Sequence, residues 1–170
     1  MDQVMLGATG LAVSEVGFGG IPIIPLGHDE AVAVVRHCFD RGITFFDTAN
    51  MYPTSEEKIG AALQGVRDAA VIATKTAERT ARGAAEHLVL SLGRLRTDRI
   101  DLYQLHNVSN QQALEQVLAP GGAYEAVARA RDAGKIRCIG ISSHSIATAT
   151  AALNTGLFQT LQFPFNFIES

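Results

Sequence analysis

The feature that most constrains this chain is an alternation. Short apolar runs, ITFFD (43–47), AAVIATK (69–75), IDLYQLH (100–106), IRCIGIS (136–142) and TLQFPF (160–165), recur between segments with helical periodicity. EAVAVVRHCFDRG (30–42) places Val32, Val35 and Phe39 on one face, and SEEKIGAALQG (55–65) follows with Glu56 and Glu57 in its first turn. Thr54 and Ser55 stand where an N-cap is expected, and acidic residues there suit the helix dipole. RGAAEHLVLSLGRLR (82–96), GGAYEAVARARDAGK (121–135) and SIATATAALNTG (145–156) continue the series, and Gly42, Gly65, Gly134 and Gly156 fall at helix ends. Strands alternating with helices predict a parallel sheet of βαβ units, its strands apolar because both faces are covered. The opening differs: LGATGLAV reads as a small hairpin around a Gly turn, and VGFGG as a first strand. No linker, low-complexity tract or charge block divides the chain, so residues 1–170 read as one domain.

Two parallel architectures compete. A doubly wound sheet that binds a dinucleotide carries GxGxxG between its first strand and helix, and VGFGGIPIIPLGHDE lacks it. In a (β/α)8 barrel, reactive residues sit at the C-terminal ends of strands. Asp47, Lys75, His106 and Ser142 end four successive runs, which favours the barrel. Its mouth would gather Asp47, Lys75 and His106 with Tyr52, which lies just beyond the first of those ends.

Such a set suggests chemistry at a carbonyl. A tyrosine hydroxyl ordinarily titrates near 10, and a nearby ammonium favours the phenolate. Lys75 is therefore expected to lower the Tyr52 pKa, with Asp47 holding Lys75 charged. His106 would orient a carbonyl oxygen or pass a second proton. No Ser or Cys stands beside a base in a way that suggests acyl transfer.

These residues lie within motifs that resemble the aldo-keto reductase family. LGATGLAVSEVGFG, FFDTANMYPTSEEKIGAAL, VIATK, SLGRLRTDRIDLYQLH, GKIRCIGISSHS and LQFPFNFIES occur in the family's order across essentially the whole chain. The resemblance implies a (β/α)8 TIM barrel with an N-terminal β-hairpin and reduction of aldehydes or ketones with NADPH, or with NADH. It implies a catalytic set of Asp47, Tyr52, Lys75 and His106, with Asp47, Ser142, Ser143 and Gln162 on the cofactor. Ser143 stands where the family often has Asn. QLHNVSN and VLAPGGAYEAV resemble a branch in which some members carry a C-terminal iron–sulfur domain, although no cluster ligands are present.

A whole barrel takes about 250 residues, and the sixth strand is the last that these 170 residues supply. The expectation is a C-terminally truncated barrel whose open edges favour self-association. Two alternatives to a reductase stand beside it, a cofactor-sensing subunit of the same fold and an inert fragment.

Asn107 and His144 flank the expected mouth as substrate-side groups, whereas His28, His37, His87, Arg79 and Arg82 read as solvated, capping or surface residues. A net charge of −3 gives no basic surface for nucleic acid. No apolar run approaches the roughly 18 residues of a membrane span, and MDQVMLGATG has no signal-peptide pattern. Cys38 and Cys138 read as small buried hydrophobes. The expected partner is a small-molecule carbonyl, the expected location cytoplasmic, and no metal site is expected.

Overall fold

The computed structural model describes residues 1–166. The last four residues of LQFPFNFIES lie outside that range. The chain opens on an antiparallel hairpin, β1 (Gln3–Met5) and β2 (Ala12–Ser14), paired from Gln3↔Ser14 to Met5↔Ala12. The units that follow are β3 (Phe18–Gly19), α1 (His28–Asp40), β4 (Phe45–Asp47), α2 (Ser55–Ala62), β5 (Val71–Thr76) and α3 (Ala81–Arg94). They continue with β6 (Ile100–Leu105), α4 (Gln111–Leu118), α5 (Ala123–Asp132), β7 (Ile136–Ser142), α6 (Ile146–Asn154) and β8 (Thr160–Gln162).

Strands β3 to β8 form one parallel sheet in the order β3-β4-β5-β6-β7-β8. A doubly wound sheet reverses its strand order at a switch point. Here each strand pairs with the next without reversal, and the sheet curls into part of a TIM barrel.

Strand alternation divides the side chains between two cores. Phe46, Ile72, Tyr103, Leu105, Ile139 and Ile141 face outward and pack with Val35, Ile59, Leu88, Leu114, Val127 and Ala152 of the helices. Val71, Ala73, Leu102 and Cys138 face inward and are covered by Leu11 and Val13 of the hairpin region. The hairpin thus closes the apolar part of the interior. The polar residues near the strand C-termini lie beyond it.

Helix ends follow local chemistry. Thr80, Asn110 and Ser145 cap α3, α4 and α6, each side chain accepting from a backbone N–H of the first turn. Gly42, Gly65, Gly134 and Gly156 adopt φ of +95°, +78°, +75° and +70° where helices end.

The start of α2 departs from expectation. Thr54 occupies the N-cap position at φ +59° without a side-chain cap bond. Ser55 Oγ instead accepts from Thr48 Oγ1 and donates to the Gly20 carbonyl, each at 2.9 Å. Glu56 is buried rather than solvated, because its carboxylate accepts from Thr74 Oγ1 at 2.6 Å and meets Arg94 at 3.4 Å. Helix α4 was not expected either, although Asn110 and the Leu114–Val117 spacing announce it. Cys138 is buried, whereas Cys38 is only half-buried.

Gly60 marks the closest approach of α2 to the end of α3. A Cβ built there would lie 2.6 Å from the Arg94 carbonyl oxygen and from Leu95 backbone atoms. Gly60→Ala should therefore lower the unfolding free energy in urea by about 2–3 kcal/mol. Gly93→Ala, with nothing within 4 Å of its Cβ, should be neutral or stabilising by about 0.5 kcal/mol. Equal effects at the two positions would contradict this packing.

Candidate active site

The C-terminal ends of the strands surround a cavity of about 310 Å³, lined by Ile21, Tyr52, Lys75, His106, Ser142, Ser143, His144, Gln162, Phe163 and Pro164. Asp47 lies directly below, bonded to Lys75. The four residues expected to form a catalytic set are therefore neighbours, as are Ser142, Ser143 and Gln162, expected on the cofactor.

Lys75 points inward from β5 and is 2% exposed. Its Nζ donates to Asp47 Oδ1 at 2.6 Å and to the Thr48 carbonyl at 2.8 Å. Burial pulls the Lys75 pKa below its ordinary value despite the Asp47 carboxylate, and burial raises that of Asp47 despite the ammonium beside it. The pair is desolvated on both sides.

Tyr52 and His106 meet edge to face, with ring centroids 5.8 Å apart at 81°, and Lys75 Nζ lies 5.5 Å from the Tyr52 ring centre. The expected lowering of the Tyr52 pKa is corrected. Burial first, and then the Asp47 charge, push it above 10. Tyr52 therefore stays protonated at neutral pH. His106 is driven down to about 4, first by burial and then by the charges of Lys75, Arg79 and His144. Its imidazole is neutral near pH 7, and Nδ1 has no hydrogen-bond partner among the described residues.

Ser142 ends β7 opposite Gln162 of β8. Ser142 Oγ accepts from the Asn107 N–H at 2.8 Å, which leaves its proton to donate. Gln162 Oε1 accepts from Gln104 Nε2 at 3.0 Å, and Gln104 Nε2 also reaches Asp47 Oδ2 at 3.4 Å. Ser143 is committed locally, its hydroxyl accepting from the Ser145 N–H and donating to the Ser145 carbonyl. The cavity has room for a pyridine carboxamide, and Ser142 and Gln162 offer the hydrogen-bonding groups that its amide needs. The residues present fit the nicotinamide end of the expected cofactor.

Several positioning residues escaped sequence reasoning. Lys58 Nζ donates to the carbonyls of Ile23, Ile24 and Leu26 at 2.9–3.0 Å, fixing the segment that carries Ile21 to the cavity. Asn50 holds the loop before Tyr52: its amide donates to the His87 carbonyl and Ser91 Oγ, and its own carbonyl accepts from Arg94 at 3.1 Å. Thr76 Oγ1 lies 3.0 Å from His87 Nδ1, so His87 is a packed partner rather than a solvated one. Arg79, expected on the surface, is half-buried and donates to the His106 and Asn107 carbonyls. The helical position of Lys58, and the loop position of Arg79, gave no sign of carbonyls waiting to be bound.

Comparison with known proteins gives one consistent result. Residues 15–168 match the model of the aldo/keto reductase family. The chain is 35% identical to the aldo-keto reductase YhdN of Bacillus subtilis, covering 99% of this chain and 55% of that protein. It is also 35% identical to L-galactose dehydrogenase of Arabidopsis thaliana, covering 88% and 50%. It therefore spans about half the length of these curated relatives. A crystal structure of an aldo-keto reductase from Pseudomonas aeruginosa superposes with a TM-score of 0.86 at 29% identity, covering 98% of this chain and 69% of that one. An aldo-keto reductase from Klebsiella pneumoniae in complex with NADPH superposes at 0.82 with 26% identity, covering 97% and 59%.

Removing one member of a buried ion pair leaves the other uncompensated, whereas removing both relieves the desolvation. Asp47→Asn should lower the unfolding free energy by about 2 kcal/mol, less than for a fully sealed pair because Asp47 is 19% exposed. Asp47→Asn combined with Lys75→Met should return to within about 1 kcal/mol of the parent. Urea unfolding of the two single variants and the double variant checks the cycle; additive losses would contradict a coupled pair.

Proposed function

The chain belongs to the aldo/keto reductase family, and from that premise we infer that its cavity carries the proton-donor side of a nicotinamide-dependent carbonyl reductase. The observation behind this reading is the arrangement of Tyr52. Its hydroxyl-bearing ring packs against a neutral imidazole, beside an ammonium that is itself held by a carboxylate.

NADPH is the cofactor proposed, with NADH the second choice, and either would supply a hydride when bound. Ser142 and Gln162 would hold its carboxamide, with Gln104 holding Gln162 in place. A small aldehyde or ketone would place its oxygen between Tyr52 and His106. His106 presents a neutral imidazole to that oxygen and orients it. Tyr52, protonated at neutral pH, gives its proton to the oxygen as negative charge develops there. The phenolate left behind is stabilised by the Lys75 ammonium. Asp47 favours the charged form of Lys75, opposing the burial that lowers its pKa. Free Cys38 and Cys138 fit a reducing, cytoplasmic setting. No helix of the described residues is long and apolar enough to cross a membrane.

Tyr52→Phe should lower NADPH-dependent turnover of a panel of aldehydes by about 10²–10⁴-fold, while NADPH affinity, read by fluorescence quenching, is unchanged. Undiminished turnover would overturn the role of Tyr52. Stoichiometric NADPH binding by the parent with no turnover of any aldehyde would favour the cofactor-sensing reading.

The pH profile is a separate check. With His106 held near 4, kcat/KM should show no inflection near the ordinary imidazole value of about 6.5. On the acid side it should fall only toward pH 4, where the imidazole becomes charged. An acid limb centred near 6.5 would exclude a neutral, buried His106 from the reaction.

A further inference from the structure

We propose that Arg79 is a positioning residue for His106, clamping the turn that ends β6 so that the imidazole stays against Tyr52. This rests on the reductase reading for its functional meaning, but not for its geometry. Arg79 Nη2 donates to the His106 carbonyl at 2.9 Å and to the Asn107 carbonyl at 3.0 Å. One donor group thus ties two consecutive peptide units.

The turn so held is demanding. Asn107 adopts φ +51°, a left-handed conformation that asparagine tolerates better than most residues but that still needs support from its surroundings. Support comes from both neighbouring strands. The His106 N–H donates to the Thr76 carbonyl of β5 at 2.8 Å, and the Val108 N–H donates to the Ser142 carbonyl of β7 at 2.8 Å. The Asn107 N–H donates to Ser142 Oγ at 2.8 Å. Those bonds engage amide N–H groups, and Arg79 is what engages the two carbonyls. Because His106 Nδ1 finds no partner among the described residues, that ring nitrogen adds nothing to the orientation of the ring. Its backbone and its contact with Tyr52 set it.

The energetics of Arg79 argue for position over stability. Its guanidinium is partly desolvated and Nη1 is buried without a partner. Among the described residues it forms no ion pair. An arginine kept for stability would neutralise its charge and satisfy its donors. The charge, opposed only by the neighbouring Glu78 without an ion-pair contact, also joins Lys75 and His144 in keeping His106 uncharged.

The test uses the chain itself and needs no turnover, so it stands apart from any failure of the reductase reading. With ¹⁵N-labelled histidine and His106 assigned through His106→Gln, the ring is titrated by NMR and its proximity to Tyr52 followed by NOE. Tyr52, Lys75, Arg79 and His144 are the groups that face or charge it. In Arg79→Met the His106 midpoint should rise by roughly one unit toward the ordinary value of about 6.5, and the Tyr52–His106 NOE should weaken. Arg137→Met, which removes a half-exposed arginine bound to Asp101 instead, should change neither. An unchanged His106 titration and NOE in Arg79→Met would overturn the proposal, as would an equal disturbance in Arg137→Met. Should Arg79→Met fail to fold, Arg79→Gln, which keeps an amide donor and drops the charge, is read by the titration alone, and a His106 midpoint that does not rise would overturn the proposal.

Discussion

A lysine ammonium sealed from water must find a negative partner or give up its proton, and the buried Lys75 finds Asp47 at 2.6 Å. Much of the interior is arranged around that requirement. The partners come from adjacent strands, so the ion pair can form only if β4 and β5 lie side by side and parallel in the observed register. Gln104 on β6 then reaches Asp47 Oδ2 at 3.4 Å and Gln162 Oε1 at 3.0 Å, extending the polar layer to β8. Beneath it lies the apolar layer of Val71, Ala73, Leu102 and Cys138, closed by Leu11 and Val13. One face of the sheet is therefore oily near the strand N-termini and polar near their C-termini. A strand slipped by one residue would reverse both layers.

A second polar assembly lies on the outer face and fixes what the first cannot. Tyr52 is on a loop, and loops wander unless tied. Asn50, two residues earlier, is bound to α3 through His87 and Ser91. Arg94 of α3 binds the Asn50 carbonyl and meets buried Glu56, whose other oxygen accepts from Thr74. Thr74 and Lys75 are consecutive on β5 and point to opposite faces. The ion pair inside the sheet and the network outside it thus share a strand, which makes the separation between Lys75 and Tyr52 a property of β5 and the two helices rather than of the loop alone.

The legible part of this structure was periodic, and the illegible part was not. Asp47, Lys75, His106 and Ser142 could be placed at one mouth because strand ends announce themselves by composition, and parallel strands bring those ends together. The six parallel strands were also readable, though β4 and β8 are shorter than their apolar runs. Side chains that act on backbone carbonyls gave no pattern. Lys58 falls within a helix whose sequence does not announce its burial, yet it is buried because three carbonyls of the 23–26 segment converge on it. Arg79 was misjudged for the same reason. Glu56 appeared to serve the helix dipole because its partners, Thr74 and Arg94, are 18 and 38 residues away. The sign of the Tyr52 shift was missed because burial first, and then the carboxylate that the lysine brought with it, raise the pKa.

That last point bears on how the site would release a proton. A phenol lowered far enough to ionise at neutral pH would have no proton to give. Tyr52 is held above 10 by burial and by Asp47, so it keeps its proton until an acceptor arrives. His106 is uncharged, and the charges of Lys75 and Asp47 cancel. The resting cavity thus carries no net charge from these four groups. For the proposed carbonyl reduction, negative charge develops first on the substrate oxygen and ends on the phenolate. The Lys75 ammonium, 5.5 Å from the Tyr52 ring centre, favours that end state without bringing it about early. Asp47 delays ionisation and Lys75 stabilises its product; a site with either charge alone would do only one of these.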